Sequence, residues 1–414
     1  MVILVLLVAE SCVVAKKRHG NGHSKEKSFF EEDIERLGYP HETHHVKTKD
    51  HFVLTLFRIQ SKDTVAHKFP KGKPVILLAH GLDESADIWI LNHGESALAV
   101  FLANQGFDVW MLNNRGTTYS RQHAKYSVHQ AELWDFSFQE MAMHDVPVTL
   151  NYISRKTKIP KMIVIGHSQG STQFVAAMTD PLTSVQVQSH MHALIGISPV
   201  AHISDVPEKT QRIYDIISYY VPFRKLINFN YPFLSTKTRT FFKKLLRGVC
   251  DNLSFFCEGI LAVPGLSAKH NKAELIPKIM EVLPGGSSFR CYEHYNQLSK
   301  IGGEVPTLRK FDFGPAENIK RYGVATPPDY DYSLMSVPFI IHSGHEDILV
   351  TSQSLERLTN HLRTLGKKTS LRIHNGWDHF SVISSTDPRN VFDEVLADIN
   401  LIQAIESATA SKSE

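Results

Sequence analysis

The sequence predicts an α/β chain: a mostly parallel central sheet flanked by helices and interrupted by one inserted, mainly helical segment. Three observations point there. The short apolar runs Val75–Ala79, Phe107–Leu112, Met162–Ile165, Leu194–Ile197 and Val337–His342 lack the alternation of a half-exposed strand, and so suit strands buried on both faces. Segments with apolar residues at helical spacing lie between them, and such alternation of strand and helix implies a parallel sheet covered on both sides. The alternation stops after Ile197 and resumes near Pro338.

In chain order, the N-terminus opens on the apolar run Val2–Ala9, short of the about 20 residues needed to cross a bilayer. Val13 and Ala15 stand at −3 and −1 for cleavage after Ala15, so residues 1–15 read as a signal peptide. The first region lacks Lys and Arg, and Glu10 and Ser11 interrupt the run; a buried N-terminal strand is the other reading. No later stretch reaches about 18 uninterrupted apolar residues, so no transmembrane helix is expected. Residues 28–199 then form the first part of the core. Helices are expected over Glu95–Gln105 and Met143–Ile153, with Pro147 in the first turn of the second or kinking it. Residues 200–312, with Tyr219-Tyr220, Phe241-Phe242 and Phe255-Phe256, are read as an inserted cap over the strand ends, or alternatively as a second structural domain. Residues 313–406 complete the core, and Ser407–Glu414 form a polar tail.

Composition excludes several classes. Hydrophobic residues at 42% and charged residues at 21% rule out a disordered or fibrous chain. Lys plus Arg number 45 against 42 Asp plus Glu, a net +3 with no basic stripe interleaved with aromatics, so nucleic acid is not an expected partner. The 23 histidines would make the net charge climb as pH falls through about 6.5, which suits an acidic compartment without requiring one. Of four cysteines, Cys12 would leave with the signal peptide; Cys250 and Cys257 are close enough to close a short disulfide loop, leaving Cys291 free. Asn252-Leu253-Ser254, inside that loop, is an N-x-S sequon for a surface glycan. Both features fit the secretory route.

The most specific motif is Gly166-His167-Ser168-Gln169-Gly170, which follows the strand Met162–Ile165 and precedes a helix-like Ser171–Met178. A G-x-S-x-G at such a junction is a nucleophile elbow, in which Gly166 and Gly170 permit the tight turn and Ser168 presents its hydroxyl at a helix N-terminus. A serine hydroxyl needs a histidine base and an orienting acid, in the order Ser, Asp, His. Asp347 lies just beyond the strand Val337–His342, and His379 after the short strand Leu371–Ile373, so both fall at strand carboxyl ends. Glu346 is a rival acid, and His374 and His345 are rival bases. Oxyanion donors are expected at the backbone N–H of Gln169 and of Leu82, in the loop His80-Gly81-Leu82 that His80 could brace.

The chain resembles the acid lipase family, which includes gastric, lingual and lysosomal acid lipases, from Gly38-Tyr39-Pro40 to about Val391. The resemblance is carried by His80-Gly81-Leu82, Asn114-Arg115-Gly116, Tyr119-Ser120-Arg121, Leu133-Trp134-Asp135-Phe136-Ser137-Phe138-Gln139-Glu140-Met141-Ala142, the 166–170 motif and His294-Tyr295-Asn296-Gln297. It implies an α/β-hydrolase fold with a cap and lid, a Ser168–Asp347–His379 triad, and hydrolysis of triacylglycerols or steryl esters at a lipid–water interface without colipase, metal or other cofactor. A cap disulfide in the family suits Cys250 and Cys257. Two departures bear on the pH optimum: Asp378 stands where the family has Asn, and Phe380-Ser381-Val382 follows His379 where the family has Leu-Asp-Phe. A carboxylesterase on soluble esters and a catalytically silent lipid-binding protein are the competing readings. The product of the secretory route would be secreted or lysosomal.

Overall fold

A computed structural model describes residues 27–62, 73–92, 94–203, 205–208, 210–212, 215, 275, 278–279, 282–301, 303–381, 385 and 389–410. The possible signal peptide, Cys250, Cys257 and Asn252 lie outside them.

The strands are β1 His41–Lys47, β2 Phe52–Ile59, β3 Val75–Ala79, β4 Asp108–Leu112, β5 Gln122–His123, β6 Met162–His167, β7 Met191–Ile197, β8 Phe339–Gly344 and β9 Thr369–His374. They form one sheet in the order β1-β2-β4-β3-β6-β7-β8-β9, with the short β5 paired to β2. From β4 to β9 every pairing is parallel, while β1 and β2 run antiparallel at one edge. Each expected strand is present, Val75–Ala79 with the expected bounds and the others displaced by one to three residues at their ends. The β1–β2 pair was not expected. Its two strands carry three histidines, a lysine and an arginine among their residues, so they show no uniform apolar run.

Alternation along the central strands sorts their side chains into two cores, one on each face. Leu77, Trp110, Val164, Leu194 and Ile341 face one way and pack with helices α3 (Val146–Thr157), α4 (Gln169–Thr179) and α6 (Ser352–Thr364). Ile76, Leu78, Val109, Met111, Ile163, Ile165, Ala193 and Ile340 face the other, against α1 (Phe29–Leu37), α2 (Leu98–Asn104) and α7 (Arg389–Ala410). Burial on both sides is why the strands read as continuous apolar runs. Leu77 is fully buried, so truncation to Ala would cost about 2–5 kcal/mol in lost transfer energy and residual cavity.

Helix α2 starts three residues later than expected, after a short turn at Gly94–Ser96. Helix α3 continues directly from a π-helical turn at Met141–Asp145, so Pro147 stands inside a continuous helical run, just after the widened turn. Within the segment read as a cap, α5 (Phe289–Ser299) docks on residues 135–138. Ser288 Oγ donates to the Phe136 carbonyl, the Arg290 guanidinium meets Asp135, and His294 Nδ1 lies 3.1 Å from Ser137 Oγ.

Candidate active site

Strand β6 ends at His167, and α4 begins at Gln169. The turn between them holds Ser168 at φ +49°, ψ −120°, a conformation that L-residues avoid and that persists because its surroundings fix it. The Ser168 N–H donates to the Ile197 carbonyl of β7 at 2.9 Å, and Ser171 Oγ closes the turn onto the Gly166 carbonyl at 2.5 Å. A Cβ on Gly170 would lie 2.0 Å from the Ala79 carbonyl oxygen, and one on Gly166 would lie 2.6 Å from the Ser171 nitrogen. The elbow is therefore built by close backbone approach on both sides of the serine.

Gln169 is the first residue of α4, so its N–H has no partner within the helix. Leu82 follows β3 in the loop His80-Gly81-Leu82, which lies alongside the N-terminus of α4 through the Gly170–Ala79 approach. His80 does brace this loop. The Asn114 N–H donates to His80 Nε2 at 3.0 Å, which leaves the proton on Nδ1 for the Gly81 carbonyl at 2.8 Å. Burial pulls the His80 pKa down to about 4, so the ring stays neutral. Asn114 also donates to the His80 carbonyl, and its Oδ1 accepts from Gln173 Nε2 of α4 at 2.9 Å. The loop and the helix are thereby clamped together.

Asp347 and His379 come together. His379 Nδ1 lies 2.8 Å from Asp347 Oδ2, and both side chains are buried. The other carboxylate oxygen of Asp347 accepts from the Leu349 and Val350 N–H groups at 2.9 and 3.0 Å, which fixes its orientation. The rivals are placed otherwise. Glu346 and His345 are exposed, and His374 Nε2 is engaged with His342 Nδ1 at 3.2 Å. His379 is in turn tied to the elbow: its carbonyl oxygen lies 2.9 Å from His167 Nε2, and the two rings are 5.1 Å apart. Asp378, at the departure from the family pattern, accepts from the Phe380 N–H and the Ser381 hydroxyl, closing the turn that carries His379.

Gln173, Glu84, the clamping role of Asn114 and the partnership of His167 with His379 escaped the sequence reading. Nothing in the local sequence marks these contacts, because each joins residues far apart along the chain. Among the described residues, His342, His374 and Glu394 could hold a metal ion, their ligand atoms lying within 4.8 Å of one another. Those atoms already have protein partners. The two rings are within 5° of parallel with Nδ1 and Nε2 at hydrogen-bond distance, and Arg372 lies 3.6 Å from Glu394. Cys291 is buried with a free thiol, and no described helix is long and apolar enough to cross a membrane.

Residues 30–93 match a family model described as a partial alpha/beta-hydrolase lipase region, and residues 74–385 match the alpha/beta hydrolase fold. Gastric triacylglycerol lipase of Mus musculus is 33% identical over 87% of this chain and 88% of its own. Lipase member M of the same species is 32% identical over 88% of this chain and 84% of its own. The structure of DcsB, solved with a substrate analogue, superposes with a TM-score of 0.50 at 12% identity, covering 88% and 99% of the two chains, a likeness of fold alone. On these grounds the chain belongs to the acid lipase family of serine ester hydrolases, built on the alpha/beta hydrolase fold.

Proposed function

We propose that this chain hydrolyses carboxylic esters of neutral lipids, triacylglycerols or steryl esters, through Ser168, His379 and Asp347. The observation that carries the reading is the buried 2.8 Å contact between His379 Nδ1 and Asp347 Oδ2, on a loop anchored to the residue before a strained elbow serine. Asp347 keeps the proton on Nδ1, leaving Nε2 to take the Ser168 hydroxyl proton as Oγ attacks the ester carbonyl. The N–H groups of Leu82 and Gln169 receive the oxyanion, and the positive end of α4 favours the charge that develops there. His379 then protonates the departing alcohol. A water deprotonated by His379 releases the fatty acid from the acyl-enzyme. Every step is proton transfer and acyl transfer among these side chains, with no cofactor or metal assigned a part.

The neutral-lipid substrate follows from relatives that are named triacylglycerol lipases. Export through the secretory route, to the exterior or the lysosome, belongs to the same proposal. The test is fatty-acid release from emulsified triolein, cholesteryl oleate and soluble tributyrin, across roughly pH 4 to 8 to bracket a histidine titration, with Ser168→Ala as control. Release from the emulsions that vanishes in the variant is expected. Activity on tributyrin alone would make the protein a carboxylesterase, and no Ser168-dependent release would leave a lipid-binding protein.

A further inference from the structure

Behind the Ser168–His379–Asp347 group lies a second acid–histidine couple. Glu84 and His167 are both buried, with His167 Nδ1 2.9 Å from Glu84 Oε1 and 3.0 Å from Oε2. The opposite ring nitrogen, Nε2, lies 2.9 Å from the His379 carbonyl oxygen. Glu84 also accepts from the Gly81 N–H, one residue before Leu82. One carboxylate thus reaches the oxyanion loop directly, the elbow through His167, and the main chain of His379 through the far side of that ring.

The protonation state follows from the partners. A carbonyl oxygen can only accept, and a carboxylate held by a backbone N–H is an acceptor as well. A neutral imidazole would turn a lone pair toward one of them, and a buried acceptor facing an acceptor loses its hydrogen bond and its hydration together. With Glu84 ionised, only the imidazolium satisfies both contacts. Burial by itself would drive the proton off His167, but the Glu84 charge and hydrogen bond, with the His379 carbonyl, hold its pKa above the ordinary value. Burial likewise penalises the Glu84 carboxylate, and His167 outweighs that penalty, so the Glu84 pKa is lowered. The couple carries no net charge. That matters beside His379, because an uncompensated cation 5.1 Å from the ring would oppose the positive charge the base acquires on taking the serine proton.

We propose that Glu84 and His167 form a permanently ionised positioning couple that fixes the His379 main chain and the oxyanion loop relative to Ser168. This rests on the catalytic reading above. The couple touches no substrate and transfers no proton. Its effect is geometric and electrostatic, on kcat rather than on substrate binding.

The test compares wild type, Glu84→Gln, Glu84→Asp, His167→Asn and the Glu84→Gln/His167→Asn pair, all as full chains. Active sites are counted by labelling with a fluorophosphonate, and turnover of dissolved tributyrin is expressed per labelled site, so that misfolded protein drops out. The expected result is a fall in kcat of about 100-fold for Glu84→Gln, the scale of an ångström-level misplacement, with KM within about twofold. Glu84→Asp should recover part of the loss, and the double variant should be no worse than the worse single one. Nitrogen-15 spectra at pH 7 should show both His167 ring nitrogens protonated in wild type and only one in Glu84→Gln. An unchanged kcat per labelled site in Glu84→Gln, or a singly protonated His167 in wild type, would overturn the proposal. Wild type that escapes the fluorophosphonate would overturn the role given to Ser168 itself. The nitrogen spectra, which need no turnover, would then still judge the charge state of the couple.

Discussion

Gly344 and Trp377 approach so closely that a Cβ on Gly344 would lie 2.0 Å from the Trp377 carbonyl oxygen. That oxygen also accepts from the Glu346 N–H at 2.8 Å, and the His345 N–H donates to the His374 carbonyl at 2.9 Å. The loop after β8, with Asp347, and the loop after β9, with His379, are thus laced backbone to backbone. Gly344→Ala should push them apart. We expect a stability loss of about 1–3 kcal/mol from overpacking and a fall in kcat of roughly 100-fold. Melting curves and steady-state kinetics check both, and full activity in the variant would show that the close approach is not needed.

Asp347→Asn preserves the shape of the side chain but replaces one acceptor oxygen with a donor amide. The amide can turn its N–H toward His379 Nδ1, which favours the tautomer that has no base at Nε2. By analogy with the same change in serine proteases, kcat should drop about 10⁴-fold with the fold intact. Circular dichroism alongside turnover distinguishes this from unfolding, and a loss smaller than tenfold would speak against Asp347 as the acid.

Acid stability should depend on Asp50. Its carboxylate faces the buried Arg115 guanidinium at 2.6 Å. Burial raises its pKa, but the Arg115 charge prevails and holds it at about 2, below the ordinary 3.8. A lowered carboxylate pKa stabilises the native state above the ordinary value, and that contribution fades as pH falls from roughly 4 to 2. Asp50→Asn should therefore lower the melting temperature at pH 6 and narrow the gap to wild type as pH approaches 2. Parallel curves at a constant offset would argue against the linkage.

The Cys291 thiol should be silent in the native protein. It is buried, and burial pushes its pKa up to about 11, so almost none is thiolate near pH 8, and the thiolate is the form that reacts. Iodoacetamide followed by peptide mapping should find Cys291 unmodified in the native state and modified after guanidinium. Rapid labelling without denaturant would contradict the burial.

The elements that build the sheet were legible because Leu77, Val164 and Ile341 lie on one face and Ile76, Ile165 and Ile340 on the other, which leaves an unbroken apolar signature in each run. Ser168 was legible because its strained turn demands glycines at fixed offsets. Asp347 and His379 were legible as candidates at strand carboxyl ends, with Glu346, His374 and His345 left as rivals. The structure brings Asp347 and His379 within hydrogen-bond distance, while His374 engages His342. Glu84 and the role of Asn114 were not legible. A buried Glu is indistinguishable in sequence from an exposed one, and its burial is decided by His167, 83 residues away. The β1–β2 edge was missed for a related reason: His44 stacks on Trp110 and Arg58 pairs with Asp108, so polar residues there are satisfied by neighbours that local patterning does not reveal.

The hydrogen bond from His167 to the His379 carbonyl joins residues separated by 212 positions. At about 5–20 residues per second, a ribosome needs roughly 10 to 40 s to bring the second residue into existence after the first. For most of that interval the nascent chain carries Ser168 without either Asp347 or His379, the two residues proposed to orient and activate it. On the proposed mechanism, hydrolysis becomes available only when β8 and β9 dock at the far edge of the sheet. On that mechanism, chain order withholds the complete constellation from the polypeptide until its last strands are made.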